Sequence, residues 1–388
     1  MKIVFIDEAV DKVGGVERII STLANRLSKK NDVMVISEYK TSNTTFYKYE
    51  NSIQIKYLID NQKNNVNRKN TNVFFNFVSR AKNKLRKILK IQNAIKTNLY
   101  DADVIVFGRV YTALDFLPYI KRNKITAKII VRDAIHIENY SEVVRKNLYK
   151  YFNKLVDTFI ISSDESMNAY KDFFGDIKRI QLKKIYNPLG IEPKGNFNYS
   201  NKVVVSIGRM DMQKGFENLI SAFAIVHKKH PEWVLKIYGD GEYKENIEKH
   251  IREIQIAEGV NLLPTTKDVV KVLNESSIFV MTSRFEGYAN MLVEAMACGM
   301  PVISYDWLMG VEDIIDDKEN GIIVRLKDRM NYFKGGQSEE DISNLAEAIN
   351  LLIENEALCE RISKKAKQIV SSRSQDLIIS KWEEIITN

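Results

Sequence analysis

Ser206-Ile207-Gly208-Arg209 closes a β-branched run and Lys214-Gly215 opens the next periodic segment, so two cations stand five residues apart where a strand gives way to a helix. A guanidinium fork and an ammonium placed there can hold a diphosphate and offset the charge that builds as it leaves. The same pair also reads as a solvated basic loop. A second stretch narrows the choice. Between Ser283 and Ile303, Glu286 falls on the loop after a strand and Glu294 about one turn into the helix that follows. Two carboxylates thus differ in height around one helix N-terminus, where free N–H groups and the positive dipole end suit phosphate and the acids can accept from sugar hydroxyls. Simple capping is the plainer reading, but it does not call for the Gly287 turn or for the small Ala295, Ala297 and Gly299 that allow close packing.

Near the start of the chain, Gly14-Gly15 precedes a helix that opens with Val16-Glu17-Arg18, which lets backbone N–H groups approach an anion or a sugar. The pattern is not G-x-G-x-x-G, and Glu38 is the one acid near a second strand end, so hydride chemistry is disfavoured. Cys298 and Cys359 are the only cysteines, too few for a disulfide framework or a zinc site, and they fit a reducing compartment. No metal is expected from Cys or His.

Elements must position these residues. Strands are expected at Lys2–Asp7, Asp32–Glu38, Asp103–Arg109, Lys128–Asp133, Thr158–Ser162 and near Arg179–Tyr186, with helices at Val16–Lys29, Thr112–Lys121, Ser141–Lys154 and Glu165–Phe174. The second half expects strands at Val203–Ile207, Val234–Tyr238, Asn261–Leu263, Ile278–Met281 and Val302–Ser304. Helices lie between them at Phe216–His230, Tyr243–Ile256, Val269–Glu275 and Asn290–Cys298, and from Ser338 onward the chain reads as helix alone. Alternation of this kind is the α/β pattern of parallel sheets, here two doubly wound domains with ligands at the carboxyl ends of their strands. The expected division is 1–190, a linker at 191–200, a second domain at 201–371 and a final helix at 372–388 that returns to the first domain.

A chain of 388 residues is long enough for two cores, and its 45% apolar and 28% charged residues exclude disorder and collagen-like repeats. The opening segment turns acidic at Asp7-Glu8 and lacks a secretory core, and no unbroken apolar run reaches about 18 residues, so a cytoplasmic protein with at most peripheral membrane contact is expected. The net charge of +8 is divided unevenly: residues 1–190 carry +15 and residues 191–388 carry −7. Residues 61–100 alone hold ten Lys and Arg with no acid. Drawn as a helix from Val78 to Ile95, they put Val78, Ala81, Leu85, Ile88, Leu89 and Gln92 on one face, and Arg80, Lys84, Arg86, Lys87 and Lys90 on the other, with Phe74, Phe75 and Phe77 upstream. A basic amphipathic helix beside aromatic residues suits an anionic membrane surface, and equally suits a helix that packs its apolar stripe on its own domain. Nucleic acid is disfavoured, because the charge is confined to one segment with no accompanying motif.

With these features in place, the sequence resembles the retaining glycosyltransferases of family 4, which have the GT-B fold. The resemblance spans essentially the whole chain. It is carried by Gly14-Gly15-Val16-Glu17, Asn187-Pro188, Gly208-Arg209 with Lys214-Gly215, Gly239-Asp240-Gly241, Glu286 and Glu294 with seven residues between them, and Glu312-Asp313-Ile314-Ile315 with Asn320-Gly321. The spacing from Glu286 through Pro301 is its most specific part. The resemblance implies that Arg209 and Lys214 grip the diphosphate, that Glu294 binds the ribose hydroxyls and that Glu286 contacts the donor sugar. It further implies that the backbone at Asn290, Met291 and Leu292 caps the phosphate, that Gly15 approaches it from the other domain and that Pro264-Thr265 border the base. Many relatives carry a histidine at the end of the strand before the acceptor cleft; here Arg132-Asp133-Ala134-Ile135-His136 stands there, and Arg132, Asp133 or His136 takes the place.

The expected activity is metal-independent transfer of a hexose or N-acetylhexosamine from a nucleotide diphosphate, uridine favoured over guanosine, with retained anomeric configuration. The expected acceptor is a saccharide, lipid-linked because the basic segment lies in the acceptor half, in bacterial polysaccharide, capsule or glycolipid synthesis. Two other readings compete: a non-catalytic chaperone or targeting subunit of the same fold, and a nucleotide-sugar epimerase.

Overall fold

The computed structural model describes residues 1–60, 73–133, 135–177, 179–195, 198–307 and 310–387, and for residues 73–82 the backbone alone. The side chains of Phe74, Phe75, Phe77, Val78, Arg80 and Ala81 lie outside the described residues, as do residues 61–72 altogether. The chain forms two units. One comprises residues 1–162, 166–188 and 378–388, the other residues 163–165 and 189–377.

The first unit runs β1 (Lys2–Asp7), α1 (Gly15–Leu27), β2 (Asp32–Lys40), β3 (Gln54–Asp60), α2 (Val73–Ala94), β4 (Val104–Phe107), α3 (Val110–Arg122), β5 (Lys128–Asp133), α4 (Glu142–Leu155), β6 (Thr158–Ile161), α5 (Asp164–Phe174) and β7 (Gln181–Lys184). Its seven strands pair in the order β3-β2-β1-β4-β5-β6-β7, all parallel. Ile3, Val4, Phe5 and Ile6 are completely buried, as a strand covered on both faces must be. The order reverses between β1 and β4, so the loops after these two strands part and leave a crevice at their carboxyl ends.

The second unit runs β8 (Val203–Ile207), α6 (Phe216–Lys229), β9 (Val234–Tyr238), α7 (Lys244–Glu253), β10 (Val260–Leu263), α8 (Val269–Asn274), β11 (Ile278–Met281), α9 (Asn290–Ala297), β12 (Val302–Tyr305), β13 (Ile322–Val324), α10 (Arg329–Phe333), α11 (Glu339–Ile353), α12 (Glu356–Ala366), α13 (Ile369–Arg373) and α14 (Gln375–Thr387). Six parallel strands pair in the order β10-β9-β8-β11-β12-β13, with the reversal between β8 and β11. The site loops expected after Ile207 and Met281 therefore flank this second reversal point. α14 ends in the first unit, where Ile378, Ile379, Trp382 and Ile386, one helical face, join a core with Ile3, Phe5, Val33 and Ile160.

α2 corrects the expected helix face. Leu85 and Leu89 are each 58% exposed, whereas Ile91, Ala94, Ile95 and Leu99 are buried, the last two in a π-helical turn at Ile95–Leu99. Lys87, expected among the solvated cations, faces inward: its Nζ lies 2.9 Å from the buried Glu38 and 2.7 Å from Asp115 of α3. A cation one turn before Ile91 shares the buried face, and Glu38 neutralises it there. Among the described residues no helix is long and apolar enough to cross a membrane.

Candidate functional site

The loop after β8 is built by backbone pairing with the loop after β9. Gly208 N donates to Tyr238 O at 3.0 Å and Met210 N to Asp240 O at 2.9 Å. A Cβ on Gly239 would lie 1.9 Å from Gly208 O, and one on Gly241 2.2 Å from Met210 O, so both positions require glycine. Gly239-Asp240-Gly241 thus acts by letting one backbone lie on the other, which places Arg209. The chain then makes a single 3₁₀ turn, Met212–Lys214, and Gly215 turns into α6 in the left-handed region at φ 59°.

Lys214 meets Glu286. Lys214 Nζ donates to Glu286 Oε1 at 2.6 Å, and Ser283 Oγ donates to the same oxygen at 2.6 Å. The pair is largely buried, with side-chain exposures of 17% and 10%. Three N–H donors on an ammonium leave Lys214 with two after this bond, so it can serve a second anion while Glu286 fixes its direction. Arg209 remains largely exposed, and its Nε donates to Asp211 at 2.5 Å, a partner not foreseen from the sequence.

α9 starts beside this pair in the chain. Ala289 supplies no side-chain cap and the first turn carries no acid, so nothing in the helix itself neutralises its positive end. Asn290 and Met291 are half-buried and Leu292 is buried at this start, and Glu294 is buried one turn on. Pro264 and Thr265 follow β10 and are exposed. The second unit thus joins Lys214 to Glu286 directly and puts Arg209 on the same loop as Lys214.

Arg284 was missed in the sequence. It is 1% exposed, and its Nε donates to Met212 O at 3.0 Å, Nη1 to Tyr332 O at 2.7 Å and Gly336 O at 3.0 Å, and Nη2 to Glu217 at 2.7 Å. Its guanidinium carbon stands 4.5 Å from the centre of the Tyr332 ring. Arg284 N also donates to Gln213 O at 2.7 Å, and Gln213 Nε2 to Phe285 O at 2.8 Å. One buried cation therefore ties the Lys214 turn to the Glu286 loop. The available signal was its place, two residues before Glu286 and just after the apolar run Ile278–Met281.

In the first unit, Gly15 opens α1. Asp133 ends β5 and accepts from Tyr140 OH and Tyr170 OH, each at 2.8 Å, so its carboxylate anchors two phenols. His136 is half-buried, and its Nδ1 accepts from Glu138 N at 3.4 Å as the cap of the turn Ile137–Asn139. Arg132 Nη2 donates to Asn187 Oδ1 at 2.7 Å, which fastens the chain just before Pro188. These engagements give Asp133, His136 and Arg132 local structural work. Among the described residues no group of three or more His, Cys, Asp or Glu is arranged to hold a metal ion.

Residues 191–369 match the family model for glycosyl transferases group 1. An uncharacterized glycosyltransferase of Haemophilus influenzae is 26% identical over 390 residues, covering 99% of both chains. A Campylobacter jejuni α-1,4-N-acetyl-D-galactosaminyltransferase, named for a diphospho-undecaprenol-linked saccharide acceptor, is 24% identical over 396 residues, covering 100% of this chain and 98% of its own. The crystal structure of Anabaena Alr3699/HepE in complex with UDP-glucose superposes with a TM-score of 0.73 at 17% identity, over 100% of this chain and 99% of that one.

Proposed function

We propose that the chain, which has the GT-B fold and whose residues 191–369 match the family model for glycosyl transferases group 1, is a glycosyltransferase of that group, carrying out retaining, metal-independent transfer of a hexose or N-acetylhexosamine from a UDP-sugar to a lipid-linked saccharide. One observation carries the reading: the Lys214–Glu286 pair lies beside Arg209 in the chain and just before an α9 start that has neither cap nor acid. Arg209 and Lys214 receive the leaving diphosphate together with the first N–H groups of α9, the work a divalent ion would otherwise do. Glu286 orients Lys214 and accepts from a donor-sugar hydroxyl, Glu294 accepts from the ribose, and Pro264-Thr265 border the base. The acceptor hydroxyl attacks on the face that the diphosphate leaves, so configuration is retained. UDP is favoured by the UDP-glucose complex of the Anabaena relative, and a lipid-linked acceptor by the name of the Campylobacter relative.

The purified protein, incubated with UDP-glucose, UDP-N-acetylglucosamine or UDP-N-acetylgalactosamine and a panel of lipid-linked saccharide acceptors, is expected to release UDP from one donor as its sugar passes to an acceptor hydroxyl, and to form a glycoside with an α-anomeric proton signal. A β-linked product overturns retention. UDP binding without any turnover replaces the enzyme by the non-catalytic subunit reading.

The membrane side of the proposal rests on α2, where Leu85 and Leu89 are exposed beside the exposed Lys84, Arg86 and Lys90. Such a face inserts two leucines while the cations meet anionic headgroups, each contributing about 1 kcal/mol before screening. Pelleting with phosphatidylglycerol vesicles is expected at 0.1 M salt and to fade toward 1 M, as the Debye length shrinks from about 10 to 3 Å. Pelleting that ignores salt contradicts it.

A further inference from the structure

Arg209 stands on a backbone that is pinned on its carboxyl side. Met210, next in the chain, is completely buried; its N donates to Asp240 O and its O accepts from Tyr243 N, each at 2.9 Å, while Asp211 N turns back to Arg209 O at 2.9 Å. The direction of the guanidinium is left to the side chain, which is 66% exposed and long enough to sample many rotamers. One contact removes that freedom: Arg209 Nε donates to Asp211 Oδ2 at 2.5 Å. Among the described residues nothing else bonds the guanidinium, so the N–H groups on Nη1 and Nη2 stay open as a fork.

Asp211 makes this bond in place of a commoner one. It holds the cap position of the 3₁₀ turn Met212–Lys214 with an extended backbone, φ −131° and ψ 170°, where an aspartate ordinarily accepts from the turn's own N–H groups, yet its side chain caps nothing. Its second oxygen, Oδ1, is buried and finds no hydrogen-bond partner among the described residues. A carboxylate only 15% exposed with one oxygen unsatisfied costs stability, and an ion pair to an exposed arginine returns little of it. What the contact supplies is direction.

We propose that Asp211 is a positioning residue for donor binding, holding Arg209 by Nε so that its Nη1–Nη2 fork is set before a nucleoside diphosphate arrives. The inference rests on the glycosyltransferase reading and deepens its donor site: each of the two cations is aimed by a carboxylate, Lys214 by Glu286 and Arg209 by Asp211. An arginine already ordered loses less freedom when the diphosphate binds. Sign separates this role from that of a plain ion pair. A carboxylate beside a diphosphate repels it, so removing an Asp211 that did no more than pair with a surface cation would tighten UDP binding. Removing a positioning residue weakens it.

The test is calorimetric titration of UDP into the full chain, as wild type, Arg209→Ala, Asp211→Ala, Asp211→Asn and the double variant Arg209→Ala with Asp211→Ala. Asp211→Ala is expected to weaken UDP about three- to tenfold, the cost of ordering one long side chain on binding. Asp211→Asn keeps an oxygen for Arg209 Nε and drops the repelling charge, so it should bind UDP at least as tightly as wild type does. With Arg209 already replaced, Asp211→Ala should weaken nothing further, because Asp211 acts through Arg209. An Asp211→Ala protein that binds UDP as tightly as wild type or more tightly, or the same loss in the Arg209→Ala background, overturns the positioning role. No UDP binding by wild type, or an affinity indifferent to Arg209→Ala, overturns that role and the donor site together. The expected order of affinities in a protein that transfers sugar from no UDP-sugar counts against the transferase reading and leaves the role of Asp211 standing.

Discussion

Lys214→Ala is expected to lower kcat/KM for donor turnover by about 10²–10³, a loss of roughly 3–4 kcal/mol in transition-state stabilisation, with the fold retained. The charge on a departing diphosphate grows as the glycosidic bond breaks, and an ammonium already aimed by Glu286 at 2.6 Å meets it without reorganising. Most of the loss should therefore appear in kcat rather than in KM. Glu286→Gln tests the same geometry from the other side. It keeps an acceptor for Lys214 and for Ser283 Oγ but removes the charge, so it should cost less than Lys214→Ala. Kinetics on both variants with the donor that proves active, together with thermal melts to exclude unfolding, check the order of effects.

Arg284→Met should be the most destabilising of these substitutions, by about 3–5 kcal/mol, because it leaves Glu217 as a buried charge without its partner. It also strands the carbonyls of Met212, Tyr332 and Gly336, which Arg284 satisfies. At roughly 2–4 °C per kcal/mol for a unit of this size, a melting shift of about 6–20 °C follows. Combining Arg284→Met with Glu217→Leu removes the unpaired charge and should recover a large part of the stability. Turnover should not recover with it, since the Lys214 turn and the Glu286 loop remain untied. A double variant with full stability and full activity would show that Arg284 positions nothing.

The candidate residues of the second unit could be picked out in the sequence because they stand close together along the chain. Arg209 and Lys214 share one strand-to-helix connection, and Glu286 lies on another with Glu294 in the helix it leads into, so the spacing along the chain already limits where they can stand. The parallel strands were legible for a related reason: runs such as Ile3–Ile6 are apolar at every position, which only a doubly covered strand requires. β3 escaped notice. It lies at the sheet edge, most of its residues are only partly covered, and its alternation is weak. The inward turn of Lys87 escaped too, because its cause is Glu38, 49 residues earlier, and nothing in the helix repeat announces a buried cation. The same holds for Arg109, whose partner Asp7 is 102 residues away. Arg132, Asp133 and His136 were candidates because the resemblance puts a histidine at that strand end; the sequence did not announce their partners, which are Asn187 for Arg132, two tyrosines for Asp133 and the turn Ile137–Asn139 for His136.

Receipt of the diphosphate by cations and a helix start in the second unit, with no divalent ion, is tested most directly by calorimetric titration of UDP into the full chain, once in excess EDTA and once in excess magnesium. Equal affinity in both solutions, lost in each by Lys214→Ala, is the predicted result; binding that appears only with magnesium, or that survives the loss of Lys214 unchanged, would contradict it.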